Sequence, residues 1–309
     1  MPAAYAHITL VNLCKEPTNL DILHEFPAEA RSAINKYFRF CELGAVSPDY
    51  PYLAMGIGSK NAKRWADIMH YDRTTDVIRN GAELLSGMTG VAQGKGTAWL
   101  MGYAAHVVTD VSIHPIVELK VGTYAGHEKE HRICEMNQDV YIYPKLNMGD
   151  IGLSEHLTNG IGRCTDTGSK KKLDTDITTL WAAMLKMAHA SEFKKNPPKF
   201  DKWHSGFIRG VDQVAEEGAK LIPLARHVAL DLGAIYPDKA NATYTKDLKT
   251  PTGIMDYDAV FSKAIENVSL AWNDIAHSIF NKRPEMLASM PNWNLDTGRD
   301  ESDHLTYWS

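Results

Sequence analysis

Three histidines and two carboxylates stand where a helix would line them up: His106-Val-Val-Thr-Asp110-Val-Ser-Ile-His114-Pro115 and, after a short loop, His131-Arg-Ile-Cys-Glu135. Steps of four residues advance only about 40° around an α-helix, so His106, Asp110 and His114 share one narrow face. Imidazole nitrogen and carboxylate oxygen are ordinary zinc ligands, and His131 with Glu135 repeats the four-residue spacing about five helical turns downstream. Either pair alone reads most simply as a helix that happens to carry His and Asp. Together they point to more than one metal ion, and so to chemistry on a metal-activated water.

Three weaker candidates lie upstream. His7 sits beside Ile8 and Leu10 in a first helix, the segment Gly44-Ala-Val-Ser-Pro48-Asp49-Tyr-Pro51 reads as a turn presenting a carboxylate, and His70 closes the helix Arg64-Trp65-Ala-Asp67-Ile-Met69. Taken singly, a histidine on such a face is more often a core or surface residue than a ligand. The downstream pair has competitors of its own: His127, Glu128, His131, Glu135 and Asp139 crowd one side of a helix, so His127 can replace His131 and Asp139 can replace Glu135. Glu118, Asp67 and Asp72 are candidates to orient the ligating imidazoles.

The elements that must position these groups are helices nearly throughout, near 4-14, 28-41, 60-69, 74-88, 95-113, 127-139, 172-191, 202-231 and 256-281, with no sustained strand-type alternation. An all-α fold follows. Pro115 disfavours helical backbone at the preceding residue, which ends the metal-bearing helix at His114. Residues 141-171 read as a long irregular connection and 236-255 as a second polar excursion. No repeat and no linker divides the chain, so residues 1-309 are expected to form one large domain, with the ligands within 1-140 and residues 172-309 as a helical remainder packed around the site.

Composition sets the outer limits. With 309 residues, 44% hydrophobic and 23% charged, the chain can bury a large core, and a net charge of -5 gives no reason to expect duplex nucleic acid as a partner. Cys14, Cys41, Cys134 and Cys164 form no CxxC pair and read as buried thiols. There is no apolar run of transmembrane length, and the N-terminus lacks the basic and apolar regions of a signal peptide. The expectation is synthesis in the cytoplasm, with export, if any, by a leaderless route. Asp296-Thr297-Gly298 spells an aspartic-protease triplet, but one copy lacks the second carboxylate and reads as a capping turn.

The order of these elements is more specific than any one of them. His7, Gly-x-x-x-Pro-Asp at 44-49, His70, HxxxDxxxHP at 106-115 and HxxxE at 131-135 together resemble the zinc-dependent phospholipase C family, over roughly residues 1-140. The family includes secreted bacterial phosphatidylcholine-hydrolysing enzymes and the catalytic domain of glycosylphosphatidylinositol-specific phospholipase D, and its fold is shared with fungal single-strand nucleases. The resemblance implies a large multi-helical domain holding two or three zinc ions. His70, His106 and Asp110 would hold the first, with Asp110 bridging. His114, His131 and Glu135 would hold the second, this pair being preferred to His127 and Asp139 on the motif match. His7 and the N-terminal amine would complete a third, while Asp49 would contact the attacking water as general base or extra ligand.

The chain departs from the family pattern in two places. Only Met1 excision, leaving Pro2, would supply a free amine near His7, and Asp110 and His114 are closer together than in some secreted members. The implied reaction is hydrolysis of the glycerol-side phosphodiester of a phospholipid at a membrane surface, giving diacylglycerol and a phosphorylated headgroup. Tyr50, Tyr52 and Tyr124, and less directly Tyr141 and Tyr143, are candidates for the wall that grips headgroup or glycerol, against the simpler reading of half-buried packing. A phosphodiesterase or single-strand nuclease on the same fold, or a non-catalytic zinc protein, are the alternatives.

Overall fold

The computed structural model describes residues 4–21, 23, 25–53, 59–148, 159–169, 171–207, 237 and 239–309. Its helices are α1 (Ala4–Cys14), α2 (Pro17–Leu20), α3 (Ala28–Lys36), α4 (Phe38–Val46), α5 (Tyr50–Leu53), α6 (Ser59–Tyr71), α7 (Thr74–Ser86), α8 (Gly90–Val121), α9 (Glu128–Ile142), α10 (Thr175–Ala188) and α11 (Ala190–Lys195). Helical residues 200–207 form the described part of α12, and α13 spans Tyr257–Phe280. Two short antiparallel pairings accompany them: β1 (Leu248–Thr250) with β2 (Gly253–Met255), and β3 (Trp293–Asn294) with β4 (Arg299–Asp300). The chain is an all-α fold. Among the described residues no helix is long and apolar enough to cross a membrane.

The axis of the molecule is α8, 32 residues long, in which every residue from Gly96 to Val117 is buried. A helix buried on all sides must be apolar on all sides except where its polar groups find partners. Among the polar groups of that stretch, His106, Asp110 and His114 are the ones with ionisable, metal-ligating side chains. Around α8 pack α3, α4, α7, α10 and α13, and buried apolar side chains from Ala4 to Trp308 join in one cluster. All four cysteines are free and buried.

The contact between α4 and α8 is unusually close because each helix offers a glycine to the other. A Cβ on Gly102 would stand 1.9 Å from the Cys41 carbonyl oxygen, and one on Gly44 2.0 Å from the Trp99 carbonyl oxygen. Gly44 therefore belongs to a helix crossing and not to the turn expected from its neighbours; the turn begins at Ser47 as a 3-10 segment, Ser47–Asp49. Gly102→Ala should push two backbones apart and destabilise the protein by about 3 kcal/mol or more. A thermal melt checks this, and an unchanged midpoint would contradict the close crossing.

Two helix boundaries differ from expectation. The helix expected over 28-41 breaks at Tyr37, whose φ of -119° and ψ of 30° leave the helical region, giving α3 and α4. Helix α8 does not stop at His114 but runs through Pro115 to Val121. Proline costs one backbone hydrogen bond there, and burial of the whole segment outweighs that loss. The polar excursion at 236-255 contains the β1–β2 hairpin, whose three-residue strands are too short to show alternation. Residues 149–158, and 208–231 of the helix expected over 202-231, lie outside the described residues.

Candidate metal centre

His106 and Asp110 project from one face of α8, and α1 lays His7 beside them. The His7 and His106 rings stack with centroids 4.1 Å apart, and Asp110 faces both: Oδ1 is 3.3 Å from His7 Nε2, Oδ2 is 3.4 Å from His106 Nε2. On the other side of His106 stand His70, from the last turn of α6, and Asp49, from the 3-10 turn after α4. The His70 and His106 rings meet edge to face at 5.6 Å, and His70 Nε2 is 3.4 Å from Asp49 Oδ1. Two three-residue groups of potential ligands result, His7–His106–Asp110 and Asp49–His70–His106, sharing His106 and fully buried.

These separations fit a metal better than they fit hydrogen bonds. An imidazolium–carboxylate hydrogen bond draws its heavy atoms to about 2.7–2.9 Å. Two ligands about 2.0–2.1 Å from one tetrahedral zinc stand roughly 3.3–3.4 Å apart. Moreover, His7 Nε2, His106 Nε2, His114 Nε2, Asp49 Oδ1 and both Asp110 oxygens are buried without a hydrogen-bond partner. Orphaned buried acceptors are costly, and lone pairs turned toward carboxylates repel unless a cation lies between. The donor set of imidazole nitrogen and carboxylate oxygen is the one zinc takes.

Three of the rings are aimed by a backbone carbonyl, whereas His7 Nδ1 has no hydrogen-bond partner. His70 Nδ1 lies 2.6 Å from the Ala66 oxygen, His106 Nδ1 2.8 Å from that of Ala45, and His114 Nδ1 contacts that of Leu295. A proton held on Nδ1 leaves the Nε2 lone pair facing the site, the arrangement a metal ligand requires. The glycine-mediated approach of α4 to α8 is what brings Ala45 within reach of His106. The carboxylates expected to do this work do other things: Asp67 accepts from Tyr52 and Lys63, Asp72 faces His189, and Glu118 reaches none of the rings among the hydrogen bonds described.

A second group forms between α8 and α9. His114 Nε2 is 3.7 Å from Glu135 Oε1, and both residues are buried. His131, one turn before Glu135, is also buried, but its Nε2 is 2.6 Å from the Gly122 oxygen, so only Nδ1 remains for a metal. This trio is looser than the two groups around His106. The competing residues are committed elsewhere. His127 is exposed and its Nδ1 meets the Thr123 oxygen at 2.9 Å, while Asp139 accepts from the Tyr5 and Ala6 amides at 3.2 and 2.8 Å. Asp139 thereby satisfies orphan N–H groups in the first turn of α1 and fixes the helix that carries His7. The proposed N-terminal amine ligand falls in residues 1–3, outside the described residues.

Of the three tyrosines expected at the substrate wall, two border the site. The Tyr52 ring lies 6.1 Å from that of His70 and its hydroxyl donates to Asp67 at 3.0 Å; Tyr124 meets His131 edge to face at 5.3 Å and is half-buried. Burial, then the carboxylates of Asp296, Glu135 and Glu128, raise the Tyr124 pKa, so its hydroxyl stays protonated. Tyr50 is a correction: it is fully buried, stacked on Phe207, with its hydroxyl 3.0 Å from His204 Nδ1, which makes it core packing.

The His204 contact carries a pH dependence. Burial pushes the His204 pKa down to about 4. Between about pH 4 and 6.5 the unfolded chain holds a proton that the folded chain lacks, so stability falls as pH drops through that window. His204→Gln should remove up to one proton from the slope, about 1.4 kcal/mol per pH unit. Urea midpoints of the two proteins at pH 5 and 6.5 measure it, and identical slopes would contradict the assignment.

Burial also dominates the charge state of the centre. It pushes His7 down to about 4, helped by the neighbouring His106, so His7 is neutral at pH 7. Burial acts to raise Asp110, but the charges of His106 and His114 and the contacts with His106 and His7 hold it well below the usual carboxylate range. The centre thus presents a neutral His7 and an ionised Asp110, while His106, which burial acts to lower, is raised by Asp110 and Asp49.

A helical protein that buries histidine–carboxylate groups of this kind, with α8 as its ligand-bearing axis, can hold metal. Residues 6–191 match the family described as zinc dependent phospholipase C, and the chain belongs to that family. Its function is accordingly phospholipase C-like, that of a phosphodiester hydrolase using zinc. No curated protein and no solved structure matches the chain.

Proposed function

We propose that the chain is a phospholipase C that cleaves the glycerol-side phosphodiester of glycerophospholipids, releasing diacylglycerol and a phosphorylated headgroup. The observation that carries this reading is the convergence of buried His and Asp ligand atoms from α1, the 3-10 turn after α4, α6 and α8 into two groups that share His106, with His7 Nε2, His106 Nε2, Asp49 Oδ1 and both Asp110 oxygens lacking a hydrogen-bond partner. His70, His106, Asp110, His7 and Asp49 would hold one zinc cluster, with Asp110 shared between His7 and His106; His114, Glu135 and His131 would hold a further ion. Zinc bound there supplies neutralisation of the phosphodiester charge, a water of pKa near about 7, and stabilisation of the leaving alkoxide.

The protein's own part is to position and to move a proton. Asp49 Oδ1 faces His70, which leaves Oδ2 to take the proton of the attacking water. The water oxygen stays on phosphorus, the P–O bond to glycerol breaks, and a proton ends on the diacylglycerol hydroxyl. Tyr52 and Tyr124 stand beside the site, where the protonated Tyr124 hydroxyl can donate to a phosphate oxygen. No covalent nucleophile is required, and the buried cysteines have pKa values raised by burial, which keeps them inert.

The test is diacylglycerol release by zinc-loaded protein from phosphatidylcholine and phosphatidylethanolamine micelles, with single-stranded DNA and RNA as competing substrates. Lipid cleavage is expected. Preferential cleavage of nucleic acid would replace this reading by a nuclease, and retained zinc with neither activity would replace it by a structural metal protein.

A further inference from the structure

Residues 291–309 lie beyond the part of the chain that carries the family match, residues 6–191, yet they reach into the metal centre. The Leu295 peptide touches two candidate ligands at once. Its N–H donates to the His70 carbonyl at 2.9 Å, and its carbonyl accepts from His114 Nδ1. His70 belongs to the group with Asp49 and His114 to the group with Glu135, so the backbone of one residue ties the two halves of the centre together. The other ring-orienting carbonyls, Ala45, Ala66 and Gly122, all come from within the matched residues.

This peptide is held by contacts that have no other evident purpose. It opens the turn between β3 and β4, closed by Gly298 N donating to the Asn294 oxygen at 2.9 Å. Gly298 has φ +69°, and a Cβ there would stand 2.6 Å from the Val111 carbonyl oxygen and 2.7 Å from Pro115 Cγ. The turn therefore lies against α8 at the carbonyl whose helical N–H partner Pro115 has removed. On the β3 side, the Thr74 hydroxyl accepts from Trp293 N at 2.9 Å and donates to the Trp293 oxygen at 3.1 Å. Asn292 Oδ1 accepts from the Thr75 and Asp76 amides at 3.0 and 3.1 Å, satisfying the start of α7, where Arg73 provides no side-chain cap. Trp308 Nε1 donates to the Ser112 oxygen at 2.8 Å, pinning the far end of the segment to the ligand-bearing helix.

We propose that residues 291–300 are a clasp that positions His114 for metal binding. The Leu295 carbonyl fixes the proton of His114 on Nδ1 and turns the Nε2 lone pair toward Glu135, and Thr74 and Gly298 are the positioning residues that hold the clasp down. Losing a ligand's orienting partner costs roughly 10–100-fold in metal affinity. The cost falls on the His114–Glu135 half, because the rings of His70 and His106 keep their own carbonyls.

The inference rests on the metal-binding part of the proposed function and not on the lipid substrate. Zinc transfer from the full-length, zinc-loaded chain to a chromogenic chelator, together with amide exchange over residues 291–300, tests it in Thr74→Val, Gly298→Ala and Thr74→Ser. In the first two, exchange should rise and one class of zinc should be held about 10–100-fold more weakly, while Thr74→Ser, which keeps the hydroxyl, should match the parent in both. A loosened segment with unchanged zinc transfer, an unchanged exchange pattern in both Thr74→Val and Gly298→Ala, or uniform weakening of all zinc would each overturn the clasp. Parent protein that takes up no zinc would instead sink the metal reading itself.

Discussion

Asp110→Asn is expected to collapse the zinc content of the protein and to lower diacylglycerol release by well more than roughly 100-fold, the ceiling for groups that act only on ligands. Among the described residues, Asp110 is the one whose two oxygens face different histidines, His7 at 3.3 Å and His106 at 3.4 Å, both without a hydrogen-bond partner. An amide offers one neutral oxygen in place of two charged ones and turns an NH2 group toward a ring nitrogen. The metal-free variant should also melt lower than metal-free parent protein, because it loses the ionised carboxylate that His106, His114 and His7 stabilise in the folded state. Zinc content by elemental analysis and a thermal melt in chelator separate these effects. Full zinc retention in the variant would remove Asp110 from its bridging place.

Asp49→Asn should behave differently. Asn keeps the oxygen that faces His70 but cannot accept a proton, so zinc should remain while kcat falls by about 10²–10⁴, the usual worth of a general base. KM should change little, since the loss is confined to the transition state. Steady-state kinetics on mixed micelles with zinc content measured on the same samples decides it. Unchanged kcat would leave Asp49 a ligand only, and loss of zinc in proportion to activity would make its role structural.

The positions of the ligand residues were legible because side chains carry their chemistry in the sequence. The four-residue spacing of His106, Asp110 and His114 is a helical property, and α8 delivers it whatever surrounds the helix. What surrounds it was not legible. The groups that aim the imidazoles are the carbonyls of Ala45, Ala66, Gly122 and Leu295, and a carbonyl leaves no mark on residue type. Acidic neighbours such as Glu118 and Asp67 looked better suited, yet the structure commits Asp67 to Tyr52 and Lys63.

The same distinction explains the errors in the elements. Pro115 by its local preference ends the helix at His114, but a helix buried from Gly96 to Val117 carries through it. The segment Gly44–Pro51 reads as a turn in the sequence, but the lack of a side chain at Gly44 serves the crossing with Gly102 on α8. Tyr50 stands next to a candidate ligand in sequence and points into the core, since successive helical positions are turned about 100° from one another. The choice of His131 over His127, open on spacing alone, depends on burial: His131 is enclosed, and His127 lies at the surface on its own loop.

One measurement bears on all of this: anomalous scattering at the zinc edge from crystals of zinc-replete protein. Anomalous peaks are predicted between Asp110, His106 and His7, beside Asp49 and His70, with a further peak against His114 and Glu135. Strong zinc signal elsewhere on the chain, or none among these residues at full zinc loading, would contradict the metal centre and the hydrolase reading built on it.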